Sequence, residues 1–200
     1  MRFGFLVSSI AIALFGIFSY YAGWRHGSHS AVRAAPIEPL QAEPIRAQVN
    51  DDLIRRNLVM PIAGVNLRDI HDTFNEGRAH GKPHEATDIL APKGTPVLAM
   101  DDGTIRKLFT SVPGGLTIYQ FDPQEIYCYY YAHLDHYLLG LREGDHVRRG
   151  EIIGFVGVTG NAPPNTPHLH LAIFELGPEK HWWQGTPVNP YPLLLRLVGE

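Results

Sequence analysis

The sequence predicts a mostly β protein, an antiparallel β-sheet of barrel or sandwich type, preceded by an N-terminal transmembrane helix. Three observations predict it. From about residue 58 onward, short segments rich in β-branched and aromatic residues recur along the chain. Between them stand turn clusters such as Val112-Pro113-Gly114-Gly115 and Gly160-Asn161-Ala162-Pro163-Pro164-Asn165. Ahead of them, residues 3–23 carry no charge at all.

The elements follow in order. Residues 1–24 are expected to form a membrane anchor: an apolar run of this length, at about 1.5 Å per residue, spans about 30 Å, the thickness of a bilayer core. Tyr20, Tyr21 and Trp24 stand at its far end, where an aromatic belt would lie. A cleaved signal peptide is the competing reading, but its apolar core would run only about 7–15 residues. The nearest small-residue site, Ala34-Ala35, lies well beyond the span. A retained anchor is favoured, and on either reading the bulk of the chain is exported, with the domain on the periplasmic or extracellular face. Residues 25–57 read as a tether punctuated by Pro36, Pro39 and Pro44, with a short helix at Asp51–Asn57.

Residues 58–200 form the folded domain. Pro96–Met100 and Thr104–Thr110 flank Asp101-Asp102-Gly103 and read as a hairpin. Strands are expected at Leu116–Phe121, Ile126–Leu134, Glu151–Gly157 and Leu169–Leu176. Helical pattern is confined to Leu138–Arg142 and Leu193–Val198.

Composition excludes several classes. A net charge of −3 gives no global basic field, so no nucleic-acid partner is expected. The single cysteine, Cys128, rules out an internal disulfide framework and a multi-cysteine zinc knuckle; within an apolar strand it reads as a buried, inert thiol. Histidine is the unusual component, with eleven residues, which directs attention to metal or acid–base chemistry.

Three segments carry that chemistry. In Pro83-His84-Glu85-Ala86-Thr87-Asp88, His84 and Asp88 are four apart and would share a face in a helix or a strand. Alone, this pair reads as a surface ion pair. In His168-Leu169-His170, the two imidazoles point to one face of a strand while Leu169, Leu171 and Ile173 pack on the other. In Tyr129-Tyr130-Tyr131-Ala132-His133-Leu134, a histidine ends an aromatic strand, commonly a core position. Together the segments supply three ligands of a His₂-carboxylate zinc site, with a fourth position open and two imidazoles left to handle protons.

The order H-x-x-x-D, Y-A-H-L, H-L-H resembles the lysostaphin-type (LytM-like) zinc metallopeptidases, which are peptidoglycan endopeptidases. The resemblance extends through Ala91-Pro92-Lys93-Gly94-Thr95-Pro96-Val97, Asp102-Gly103 and Glu143-Gly144-Asp145-His146-Val147-Arg148-Arg149-Gly150. It continues through Ile153-Gly154 and Gly157-Val158-Thr159-Gly160 to Val188-Asn189-Pro190, covering roughly residues 60–192. It implies a catalytic domain of the duplicated-hybrid-motif type. It implies one Zn²⁺ per domain, held by His84, Asp88 and His170, with His133 and His168 as the catalytic pair. The implied activity is hydrolysis of peptide crosslinks between peptidoglycan stem peptides through a zinc-bound water, D,D-endopeptidase-like.

The sequence departs from the family pattern in two places. Ala86 stands where the family usually has glycine, and Phe74–Pro83 lacks the tyrosine that some members place upstream of the first ligand. His80, four before His84, is a weaker competing ligand. His71, His136, His146 and His181 read as surface or structural. Two other classes were weighed. A catalytically silent wall-binding regulator of another hydrolase would lack ligands, and here all five positions are filled. A carrier-like domain would use a lysine or a phosphorylated histidine in the turn within Glu143–Gly157; there is no lysine there, and an exported domain has no cytoplasmic phosphate donor. The implied partners are stem peptides and, through the anchor, the membrane; a regulatory protein is left open.

Overall fold

The structure, a computed structural model, describes residues 51–78 and 81–198. The expected anchor at 1–24, most of the tether and His80 lie outside the described residues. Among those described, no helix is long and apolar enough to cross a membrane.

A short helix, α1 (Asp51–Arg55), leads in and buries Leu53; a 3₁₀ turn follows at Leu67–Asp69. Nine antiparallel strands make up the rest of the described domain: β1 (Thr87–Leu90), β2 (Pro96–Leu98), β3 (Gly103–Ser111), β4 (Gly115–Phe121), β5 (Tyr127–Tyr137), β6 (His146–Val147), β7 (Ile152–Val156), β8 (His168–Leu176) and β9 (Gly185–Val188). Their main order is β1-β8-β5-β4-β3-β6. In addition β7 pairs with β2 and β5, and β9 pairs with β8. Helix α2 (Tyr191–Val198) closes the domain, burying Leu193 and Leu194, and the Asn189 side chain accepts from Tyr191 N (3.0 Å) at its start.

The pleat explains which residues meet. In β5, Tyr127, Tyr129 and Tyr131 alternate into the core, and in β8 Leu169, Leu171 and Ile173 do the same. A buried phenol needs a partner, and each of the two deepest has one. Tyr131 Oη donates to Gln120 Oε1 (2.8 Å) and accepts from Met100 N (3.0 Å), while Tyr129 Oη donates to Asp101 Oδ2 (3.1 Å). Cys128 faces the opposite side, packed with Phe121 and Leu176, and burial pushes its thiol up.

Two local expectations are corrected. The segment Asp101-Asp102-Gly103 does not join a hairpin: β2 pairs with β7, and β3 pairs with β4 and β6. Its turn residues are engaged elsewhere. The Asp101 carboxylate is tied to Arg56 and Tyr129 and its carbonyl to Gln120 Nε2 (2.7 Å), so the chain passes from one ladder to the other instead of folding back. Leu138–Arg142 is a turn, not a helix: Leu141 N donates to Leu138 O (3.0 Å) around Gly140 at φ +90°.

Candidate metal and proton-transfer centre

The sheet itself builds the site. Asp88 on β1 lies directly across from His170 on β8, and His170 lies across from Ala132 on β5. His168 is two residues back on the same face of β8. His84 arrives from the loop before β1, so its approach to Asp88 is not regular strand spacing. Between them Glu85 adopts φ +57°, which turns the chain so that His84 comes onto the carboxylate. Ala86 is fully buried, so its methyl narrows no open groove.

His133 needs the most unusual backbone. It sits at φ +60° inside β5, where the β4–β5 register shifts, and its N–H leaves the ladder for Gly114 O (2.9 Å). This is bulge geometry, which re-aims a side chain at a cost in backbone strain. Two glycines let the acceptor come close. A Cβ on Gly115 or Gly160 would overlap the backbone of the other loop, and their contact brings Thr159 O to His133 Nδ1 (2.8 Å).

The donor atoms converge. His170 Nδ1 is 3.0 Å from both Asp88 Oδ1 and His84 Nε2, and His84 Nε2 is 3.3 Å from Asp88 Oδ1. A tetrahedral ion with bonds of about 2.0–2.1 Å holds its ligands about 3.3 Å apart, so these three atoms fit such an ion without rearrangement. Two imidazoles and one carboxylate are a donor set suited to zinc. Among the described residues this is the one group of three or more such side chains able to hold a metal ion.

Hydrogen bonds fix the tautomers, because a carbonyl can only accept. His84 Nδ1 donates to Thr73, whose Oγ1 is at 3.0 Å and whose carbonyl is at 3.2 Å. His133 Nδ1 donates to Thr159 O and His168 Nδ1 to Thr166 O, each at 2.8 Å. Each ring is left with Nε2 as its basic atom, and His168 Nε2 lies 3.9 Å from Asp88 Oδ1. The His133 ring stands 4.9 Å from that of His168 and 5.4 Å from that of His170.

Electrostatics sort the groups. Burial acts to raise Asp88, but the neighbouring His170 and His84 imidazoles outweigh it and hold the carboxyl well below the usual carboxylate range. The second Asp88 oxygen, Oδ2, is paired with Arg78 (3.0 Å). Burial, reinforced by its two imidazole neighbours and opposed by the Thr159 bond, lowers His133 to about 4. Burial also lowers His170, against the pull of Asp88. The pocket therefore holds an ionised carboxylate beside two imidazoles, His133 and His170, whose charged form burial disfavours, as metal binding requires.

All five residues singled out from the sequence meet at this centre; what each does there is taken up below. His71, His136, His146 and His181 are exposed and contribute no atom to this cluster, His136 being paired with Asp135 (2.9 Å). Four residues near the centre were not singled out: Thr73, Arg78, Tyr130, whose ring packs 5.9 Å from His170, and Trp183. Only the adjacent Trp182-Trp183, in a loop of Gly, Pro and charged residues, offered a signal in the sequence.

Comparison with known proteins agrees with this geometry. The chain is 33% identical over 129 residues to an L-Ala--D-Glu endopeptidase of Bacillus subtilis, covering 61% of this chain and 38% of that protein. It is 32% identical over 122 residues to the peptidoglycan DD-endopeptidase ShyC of Vibrio cholerae, covering 58% of this chain and 27% of that protein. The chain thus spans well under half the length of these relatives. Among solved structures, the lysostaphin catalytic domain from Staphylococcus simulans matches with a TM-score of 0.50 at 25% identity, over 72% of this chain and 96% of that one. Helicobacter pylori Csd3 matches with a TM-score of 0.52 at 26% identity, over 70% of this chain and 33% of that one. The fold is lysostaphin-like. Peptidase family M23 matches residues 82–190, a span that contains His84, Asp88, His133, His168 and His170, and the chain belongs to that family.

Proposed function

We propose that this domain is a zinc-dependent endopeptidase that hydrolyses peptide crosslinks of cell-wall peptidoglycan, with D,D-endopeptidase-like specificity. The observation that carries the reading is the convergence of His84 Nε2, Asp88 Oδ1 and His170 Nδ1 within 3.0–3.3 Å beside two further imidazoles of fixed tautomer. His84, Asp88 and His170 would hold the ion. When bound, zinc would supply Lewis acidity, polarising the scissile carbonyl and lowering the pKa of a water.

The chain's own groups do the rest. His133 and His168, each with Nε2 available, would accept the proton of the attacking water. Either, once protonated, would hold the developing oxyanion or return a proton to the leaving amine. Thr159 O and Thr166 O keep both rings from rotating out of position. Thr73 does the same for His84. A regulator without activity would have no use for this donor set, so the catalytic reading is preferred.

We also read residues 1–24 as the anchor that holds the domain at the cytoplasmic membrane, on its exported side. The tether after it would let the domain reach wall close to the membrane surface.

The test is digestion of purified peptidoglycan by the full chain, with His170→Ala as control and mass spectrometry of the products. Crosslinked dimers should give way to monomers carrying a newly freed amine, which names the bond. Intact crosslinks in the presence of one bound zinc per chain would sink the proposal.

A further inference from the structure

Beside the metal centre lies a cavity of about 220 Å³ that the chemistry above does not use. His84, Glu85, Phe174, Trp183, Gly185 and Pro187 contribute to its wall, so it opens directly off a residue assigned to the ion. Its polar and aromatic features are unequal. Glu85 is exposed and makes no ion pair among the described residues. Trp183 is 59% exposed, an unusual state for the largest apolar side chain in a folded domain. No lysine or arginine lines the cavity, and Arg78 is turned onto Asp88.

The tryptophan is also held firmly. His181 stacks on Trp183 at 4.5 Å with the rings nearly parallel, and Trp182 meets it edge-on at 5.2 Å. Trp182 is in turn seated on Tyr119 (4.7 Å) and Phe109 (5.3 Å). Such a buttressed indole presents a fixed electron-rich face at little entropic cost on binding. On the other side, the φ +57° that aims His84 inward also fixes where Glu85 stands.

A carboxylate without an ion-pair partner and an exposed indole in the lining of one cavity, with no lysine or arginine among its walls, are complementary to a compact positive charge. A primary ammonium is attracted by the carboxylate and by the ring quadrupole together. We propose that this cavity is a specificity subsite for a substrate side chain ending in a primary ammonium, such as the diamino acid of a stem peptide. The inference rests on the peptidoglycan reading for the identity of the substrate, but the binding chemistry is independent of cleavage.

The experiment separates the two. The probes are the stem pentapeptide L-Ala–γ-D-Glu–L-Lys–D-Ala–D-Ala, acetylated at its N-terminus so that the lysine carries the one ammonium, and its Nε-acetyl-lysine analogue, which differ in one charge. Each is titrated calorimetrically into the detergent-solubilised full chain, and digestion of crosslinked peptidoglycan by the same protein, read by mass spectrometry, records cleavage. The charged peptide should bind about five- to twentyfold more tightly than the acetylated one. Glu85→Gln and Trp183→Ala should each shrink that ratio toward one. Equal binding of the two peptides by the parent protein would overturn the proposal, and so would a preference that survives both substitutions. A preference that depends on Glu85 and Trp183 in a protein that leaves peptidoglycan crosslinks intact would uphold the subsite and count against the peptidase reading.

Discussion

Two clusters of buried polar groups lie in this domain, and they are built on opposite principles. The first surrounds Arg56, which reaches Asp122 Oδ2 (2.9 Å), Asp101 Oδ2 (3.2 Å) and Asp52 Oδ2 (3.3 Å). Asp122 Oδ1 takes the N–H groups of Ile126 (2.7 Å) and Tyr127 (2.6 Å), and Tyr129 Oη completes Asp101. Burial works against the Arg56 charge, but Asp122 overcomes it and the guanidinium stays firmly protonated. Both oxygens of Asp101 and of Asp122 are met by donors of the chain. The second cluster gathers four imidazoles around the single carboxylate of Asp88, three of them with tautomers that aim lone pairs inward. Its acceptors outnumber its protons. The closed cluster is structural, and the open one presents a donor set that could hold a metal ion. Cavity size would have chosen the wrong one: the space beside Asp122, about 470 Å³, is larger than that beside His84.

Substitutions can break this contrast. Removing His170 takes away one of three donors, so bound zinc and peptidase activity should disappear together. Several kcal/mol of transition-state stabilisation correspond to a loss on the order of a thousandfold or more. Metal content by mass spectrometry and hydrolysis of peptidoglycan read the two losses. His133→Ala should instead keep its zinc and lose roughly 10²- to 10⁴-fold in kcat, the usual worth of a positioned acid or base. A zinc-free His133→Ala protein would mean that the ligand set has been divided wrongly.

The closed cluster should respond in the opposite currency. Arg56→Met leaves Asp122, whose side chain is fully buried, and Asp101 without their cation. Breaking a buried pair from one side costs about 3–5 kcal/mol. Denaturant unfolding should show that loss in stability, while kcat per folded molecule is retained. A matching fall in kcat with unchanged stability would erase the distinction between the clusters.

Much of the open cluster was legible in the sequence, and little of the closed one. His84, Asp88, His133, His168 and His170 stand out only as a set, through the order of three segments that resembles a known family; taken alone, His84 and Asp88 read as a surface ion pair, and only His168 and His170 are placed together by the strand period of two. The β-rich pattern gave most strands of the domain for the same reason. Arg56, Asp101 and Asp122 are common residues brought together across 66 positions, and nothing local marks them. The hairpin expected at Asp101–Gly103 failed on this point, since its turn residues serve the long-range cluster. The bulge at His133 and the positive φ at Glu85 were equally hidden, because a non-glycine residue in that region is held there by its surroundings.

The smallest change is the most discriminating. Thr73 Oγ1 accepts from His84 Nδ1 at 3.0 Å and donates to Ala86 O (3.3 Å), so the hydroxyl links the loop before β1 to the ring it must orient. Thr73→Val keeps the branched shape and removes only that oxygen. The Thr73 carbonyl, 3.2 Å from the same nitrogen, remains to hold the tautomer. Groups that orient a metal ligand from behind are commonly worth about 10- to 100-fold in affinity, and with the carbonyl still in place the lower end is expected. Zinc affinity measured by chelator competition should therefore fall about tenfold, with stability nearly unchanged and kcat at saturating zinc preserved. The closed cluster has no counterpart to this result: there, loss of one hydrogen bond would appear in the unfolding curve and nowhere else. If Thr73→Val weakens folding and leaves zinc affinity untouched, the threonine belongs with the structural groups and the orientation of His84 comes from the backbone alone.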